Sequence, residues 1–232
     1  MKLGILKADD VHPALVEEFG EYSDMVAAIM LDIDPNLGIE VFDVYHQQYP
    51  DCIDMADAYV ITGSKCSVYD QEEWISKLID FVQLLHAKRK KMVGICFGHQ
   101  LLAHSLGGKT EKSAKGWGVG VQTYHATKSG VGQGLAPRFE LKVSHQDQVI
   151  DLPENSVLLA CNDFCPNAMF KLGNHILSLQ GHPEFSKAYM HKLLPLRRER
   201  LGESLANQAL NSLSIATHDH DVSKVIMEFL ES

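Results

Sequence analysis

The stretch Gly94-Ile95-Cys96-Phe97-Gly98-His99-Gln100 limits what this chain can fold into more than any other. A short apolar run, Lys91-Met92-Val93, precedes it, and Leu101-Leu102-Ala103-His104-Ser105-Leu106 follows as a helix. Strand, sharp turn and helix, with one nucleophile between two glycines, make the elbow pattern G-x-[S/C]-x-G. Glycines flank the turn because it holds the nucleophile in a strained backbone conformation where a neighbouring Cβ would clash. The elbow lifts the sulfur to a helix N-terminus, a place that favours an anion. By itself the same cysteine also reads as a small apolar residue ending a buried strand.

Alternation places strands around that elbow. Lys2 to Ala8 fits a buried first strand, Ile39 to Tyr45 a second, and Ala58-Tyr59-Val60-Ile61 a third that ends in Thr62-Gly63-Ser64. Pro13 opens a helix to about Met30, with Leu15, Phe19, Tyr22, Met25, Val26 and Ile29 on one face. Asp70 is the expected N-cap of the next helix, which carries Trp74, Ile75, Leu78, Val82 and Leu85 and ends in Lys88-Arg89-Lys90-Lys91. Short strands alternating with amphipathic helices predict an α/β fold, a mostly parallel central sheet with helices on both faces. Chemistry in such folds sits at the carboxyl ends of strands, where Gly63 and Cys96 both fall.

After Gly107-Gly108 the pattern changes. Strands at 117–124, 138–143, 156–160, 168–172 and 175–179 follow with short links, and predict a small antiparallel extension. From Ser186 the chain is helical again, interrupted at Pro195 and Gly202, and 222–230 reads as a last amphipathic helix. No repeat or linker divides the chain. It is therefore expected to form one domain over 1–232, with a core of about 2–190 and a helical extension over about 186–232.

The formal net charge of -9 and the absence of a basic face argue against nucleic acid or an anionic membrane as partner. No apolar run approaches the roughly 18 residues of a membrane span, and the N-terminal segment is too short for a signal peptide. Five cysteines at irregular spacing suit a reducing cytoplasm better than a disulfide framework. Cys161 and Cys165 lack a second ligand pair, and His218-Asp219-His220-Asp221 reads as a helix cap and exposed loop, so no metal and no cofactor is expected.

A thiolate nucleophile needs a base, a group that orients the base, and donors for an oxyanion. Gln180-Gly181-His182-Pro183-Glu184 offers the first two at another strand's carboxyl end. His182 and Glu184, two apart in an extended segment stiffened by Pro183, project to the same side. Among 12 histidines, His182 taken alone reads better as part of a surface His-Pro turn carrying a surface glutamate.

Ile-Thr-Gly-Ser at 61–64, Gly-Ile-Cys-Phe-Gly-His-Gln at 94–100 and Gly-His-Pro-Glu at 181–184 together resemble the signatures of the class I (triad) glutamine amidotransferases. The similarity spans about residues 2 to 190, and within the family it is greatest to the glutaminase domain of GMP synthetase and to stand-alone relatives such as the γ-glutamyl peptidases. Ser144-His145-Gln146-Asp147 and Asp70 followed by Trp74-Ile75 resemble the same branches. The resemblance implies the family's flavodoxin-like sheet and a triad of Cys96, His182 and Glu184. It also implies an oxyanion hole at the Gly63 and Phe97 amides, and substrate contacts from Ser64, Gln100, Ser144, His145 and Gln146. A solvated loop is the competing reading for residues 144–146. The implied substrate is glutamine or a γ-glutamyl small molecule, cleaved through a γ-glutamyl thioester. No G-x-x-x-x-G-K-[S/T] signature follows the matching region. Three readings stay open: a stand-alone glutaminase-type hydrolase, a γ-glutamyl peptidase, and an ammonia-donating subunit that works only when docked to a synthetase. Histidines 99 and 104 are expected to pack around the elbow helix, and 115–120 to form a turn at the site's rim.

Overall fold

The computed structural model describes residues Met1–Ser232. Eleven strands run β1 Lys2–Leu6, β2 Gly38–Phe42, β3 Ala58–Ile61, β4 Lys91–Ile95, β5 Lys109–Lys112, β6 Gly118–Ala126, β7 Arg138–His145, β8 Asp147–Asp151, β9 Ser156–Cys161, β10 Met169–Leu172 and β11 Ile176–Leu179. The main sheet has the order β2-β1-β3-β4-β11-β10-β9-β6-β7. Its first five strands are parallel, and β10, β9, β6 and β7 continue it antiparallel. β5 and β8 pair separately as a two-stranded antiparallel ribbon.

Helices α1 Pro13–Phe19, α2 Tyr22–Leu31, α3 Glu73–Ala87, α4 Phe97–Ser105, α5 Lys128–Val131, α6 Lys187–Leu196, α7 Arg198–Leu201, α8 Glu203–Ser212 and α9 Asp219–Glu231 surround the sheets. The pleat sends alternate strand residues into two separate cores, which is why the parallel strands read as continuous apolar runs. Leu3, Ile5, Val60, Val93 and Leu177 meet Val26 and Met30 of α2 and Val222, Ile226 and Leu230 of α9. Leu6, Tyr59, Ile61 and Met92 meet Trp74, Ile75 and Leu78 of α3 and Phe97, Leu101 and Leu102 of α4 on the other face. A third cluster joins α1 and α2 to α6 and α8 through Leu15, Tyr22, Phe185, Tyr189 and Leu193. The expected layered α/β architecture is therefore present. No helix is long and apolar enough to cross a membrane.

Local expectations differ from the structure at four places, each for an identifiable reason. The helix expected from Pro13 to Met30 is two helices, because Gly20 takes φ +71 and the Glu21 N–H donates to the Asp24 carboxylate 2.7 Å away, starting a new helix. The second strand stops at Phe42 instead of Tyr45. There Asp43 accepts from the His46 N–H and closes a short 3-10 turn over Val44–His46. Asp70 does not cap α3. Glu72 is the N-cap residue, and the Asp70 carboxylate accepts from the Ser67 N–H at 2.8 Å within the preceding turn. Finally, β7 runs on to His145, so Ser144 and His145 are buried strand residues and not a solvated loop.

Candidate active site

The Cys96 position is built by two close approaches. A Cβ on Gly94 would lie 2.4 Å from the Gly98 carbonyl oxygen, and one on Gly98 would lie 2.4 Å from the Ile61 carbonyl oxygen. Only glycine at both positions lets α4 start this tightly over the ends of β3 and β4. Cys96 between them takes φ 52 and ψ -99, a strained conformation for a residue with a side chain. Hydrogen bonds over-determine it: its N–H donates to Leu179 at 2.9 Å, and its carbonyl accepts from Gln100 at 3.1 Å.

β3, β4 and β11 end side by side, so Gly63, Cys96 and His182 converge. A point one Cβ out from Gly63 lies 3.0 Å from His182 Cε1 and 3.7 Å from Cys96 Cβ. His182 Nδ1 and Glu184 Oε1 are 2.6 Å apart, with both side chains almost fully buried. The His182 backbone is fixed by donation to Lys142 of β7 at 2.9 Å. Burial opposes charge on this imidazole. The Glu184 carboxylate, together with the Cys96 sulfur acting by charge and hydrogen bond, outweighs burial and pushes its pKa up to about 10. The direction favours a proton on His182.

Cys96, Ser64, Gln100, Ser144, His145 and Gln146 all line one cavity of about 300 Å³. The backbone N–H groups of Gly63 and Phe97, next in the chain to the lining residues Ser64 and Cys96, have no backbone acceptor. Gln100 is more constrained than the sequence suggests. Its Nε2 donates to the Asp147 carbonyl at 2.8 Å and to Gln180 Oε1 at 3.1 Å. His145 Nδ1 lies 3.0 Å from the Asp147 carbonyl oxygen, while its Nε2 is buried without a partner. Burial, with the nearby His182 charge adding to it and the Asp147 carbonyl opposing, pushes the His145 pKa down to about 4.

Three further residues belong to the site and were not expected. Gln180 Nε2 donates to Cys96 Sγ at 3.4 Å. Phe185 stacks flat on His182, with centroids 3.9 Å apart and planes at 5°. Arg197, at the end of α6, donates to the Ser144 hydroxyl. The first two sit beside the Gly-His-Pro-Glu motif, which was the only available signal. Nothing local ties Arg197 to a serine 53 positions away.

The turn expected over 115–120 is shorter: it closes at 114–115, between Lys112 and Trp117, which line the mouth, and 118–120 already belong to β6 because they pair with β7. His99 packs inside α4, with Nδ1 2.8 Å from Ser178 Oγ. His218 is the α9 N-cap residue, and Asp219 pairs with Lys142. The tightest group of metal-type ligands, Asp10, Asp43 and His46, already holds the Lys7 ammonium at 2.6 and 2.8 Å.

A cysteine on a strand-to-helix elbow, beside a buried histidine–glutamate pair on an α/β sheet, is an arrangement capable of nucleophilic acyl transfer. Comparison with known proteins narrows this. The profile of the family described as "Glutamine amidotransferase class-I" matches residues 29–197. "Gamma-glutamyl peptidase 3" of Arabidopsis thaliana is 32% identical over 204 residues, covering 83% of this chain and 82% of that protein. A glutamine-hydrolysing GMP synthase of Cytophaga hutchinsonii is 23% identical over 78% of this chain and 34% of its own length. The crystal structure of a glutamine amidotransferase from Thermotoga maritima superposes with a TM-score of 0.75 over 100% of this chain and 98% of that one, at 18% identity. This chain belongs to the class I glutamine amidotransferase family.

Proposed function

We propose that the protein hydrolyses the γ-amide bond of glutamine or of a γ-glutamyl compound, with Cys96, His182 and Glu184 as its catalytic triad. The observation that carries this reading is the convergence of Cys96 with a buried His182 ring held 2.6 Å from Glu184. The Cys96 thiolate adds to the γ-carbonyl carbon, and the carbonyl electron pair moves onto oxygen. The Gly63 and Phe97 N–H groups receive that oxyanion, a role that suits two amides left without backbone acceptors. As the C–N bond breaks, His182 delivers its proton to the departing nitrogen and a γ-glutamyl thioester remains on Cys96. Water then gives a proton to the neutral imidazole and attacks the thioester. The C–S bond breaks, glutamate leaves, and the thiolate–imidazolium pair is restored.

Glu184 keeps the imidazole in one tautomer and orientation, and Phe185 holds its plane. Ser144, His145, Gln146, Ser64 and Gln100 form the wall that receives the glutamyl moiety, and Arg197 beside Ser144 supplies a cation for its α-carboxylate. The similarity to a named γ-glutamyl peptidase supports a leaving group larger than ammonia.

The test is turnover of glutamine and of γ-glutamyl dipeptides by the purified chain. Release of ammonia or amino acid, abolished by Cys96→Ala, is expected. Activity that appears only after a synthetase is added would favour the docked-subunit reading. Full activity in Cys96→Ala would remove the triad.

A further inference from the structure

The cavity beyond Cys96 carries more positive charge than a γ-glutamyl group can use. The chain has 21 Lys and Arg against 30 Asp and Glu, yet its active-site mouth presents Lys65, Lys112, Arg197 and Arg200 against the single carboxylate of Asp147. Lys65 is neutralised by Asp9 at 2.7 Å, and Asp147 accepts from the Ser67 hydroxyl at 2.5 Å. The other ion pairs nearby use Lys109 and Arg198, leaving Lys112, Arg197 and Arg200 without a carboxylate partner.

A bound γ-glutamyl group brings one carboxylate and one ammonium. Arg197, which donates to Ser144, faces the wall assigned to that group and accounts for the carboxylate. Lys112 and Arg200 remain. Arg200 lies with its guanidinium 5.5 Å from the centroid of the Trp117 ring, so an indole holds it at the mouth and keeps it from dispersing into solvent. Glutamine has nothing for this pair, because its leaving group is neutral ammonia. Two cations lining the same cavity as Cys96, outside the wall assigned to the γ-glutamyl group, fit a leaving group that is itself an anion.

We infer that Lys112 and Arg200, braced by Trp117, form a subsite for the carboxylate of the leaving amine. The substrate class is thus a γ-glutamyl amide of an α-amino acid. This rests on the γ-glutamyl hydrolase reading and adds to it the chemistry of the second product. A cavity of about 300 Å³ agrees with a compact dipeptide, since it lies at the small end of ligand pockets, roughly 300–1,000 Å³. Rim cations each contribute up to about fivefold at low salt, so the pair is expected to give a preference of about tenfold.

The experiment compares kcat/KM for γ-glutamyl-alanine and γ-glutamyl-alaninamide, which match in shape and differ in the leaving-group charge. The full chain is expected to prefer the free acid by about tenfold, mainly through KM, with the preference shrinking as ionic strength screens the rim. In the Lys112→Gln/Arg200→Gln double variant the acid-to-amide ratio is expected to fall to about one. Both positions are exposed, and an unchanged unfolding midpoint verifies the fold. Equal rates for acid and amide in the parent, or a preference that survives in the double variant, would overturn the subsite and leave the hydrolase reading standing. If the folded parent turns over neither peptide nor glutamine, the hydrolase reading itself fails and the subsite goes with it.

Discussion

Cys96 carries backbone strain of about 1–3 kcal/mol, and the residues around it determine what that strain is for. Its sulfur meets Gln180 Nε2 on one side and the His182 ring on the other, with Glu184 behind the ring. Glu184→Gln keeps the shape and removes the charge that does most to hold the proton on His182. Its kcat is expected to fall about 10²- to 10⁴-fold, in line with other orienting carboxylates. The sign of the pH effect is also fixed. Losing the anion lowers the imidazolium pKa from about 10, so the alkaline limb of the kcat–pH profile moves to lower pH. An unmoved limb would place the proton elsewhere. The three residues proposed as a triad stand out in the sequence because each sits in a stretch whose glycines and proline have no other local use. Phe185, Gln180 and Arg197 were not. An aromatic ring lying on an imidazole, or an arginine reaching a distant serine, is a consequence of packing that no spacing encodes.

At the scale of elements, the site exists because three parallel strands end together and one helix begins almost on top of them. The tolerance is set by Gly98, where a methyl group would press within 2.4 Å of the Ile61 carbonyl. Gly98→Ala is expected to cost about 1–3 kcal/mol or more, read as a lower urea midpoint, and to reduce kcat by displacing Cys96. A variant with parental stability and activity would show that the elbow is looser than described. Strands buried on both faces declared themselves as apolar runs, whereas β5 did not: Lys-Thr-Glu-Lys has neither alternation nor apolar content, and pairing with β8 alone makes it a strand. The break between α1 and α2 was hidden because the apolar stripe continues across Gly20, from Phe19 to Tyr22 and Met25. Periodicity records which face is buried, not where the hydrogen-bond ladder stops.

Over the whole molecule, α9 packs into the same core as β1, β3 and β4, through Val222, Ile226 and Leu230, and Asp219 at its start pairs with Lys142, whose carbonyl holds His182. The last helix therefore lies on the site's supporting structure, a relation invisible in a segment that reads only as an amphipathic tail. Acid stability is another global property. Burial holds His99 near a pKa of about 3 and His145 near about 4, and burial with neighbouring Arg89 holds His175 near about 4. Below the ordinary histidine value of about 6.5 the unfolded chain takes up protons that these folded sites refuse, so stability falls as pH drops from about 6.5 toward 4. His182 acts in the opposite sense. Its raised pKa stabilises the fold fully below about 6.5, and that contribution is lost as pH rises toward about 10. The unfolding midpoint is expected to peak near neutral pH, and His99→Asn should flatten the acid side. A midpoint that rises steadily into acid would contradict this.

The central claim is that one sulfur, Cys96, carries the γ-glutamyl group between two half-reactions. Rapid acid quenching during turnover of a γ-glutamyl substrate, followed by mass analysis of the cysteine-containing peptides, tests it most directly. The account predicts a hydroxylamine-labile γ-glutamyl adduct on the peptide bearing Cys96 and on none bearing Cys52, Cys66, Cys161 or Cys165. An adduct on any of those four, or undiminished turnover by Cys96→Ser, would contradict it.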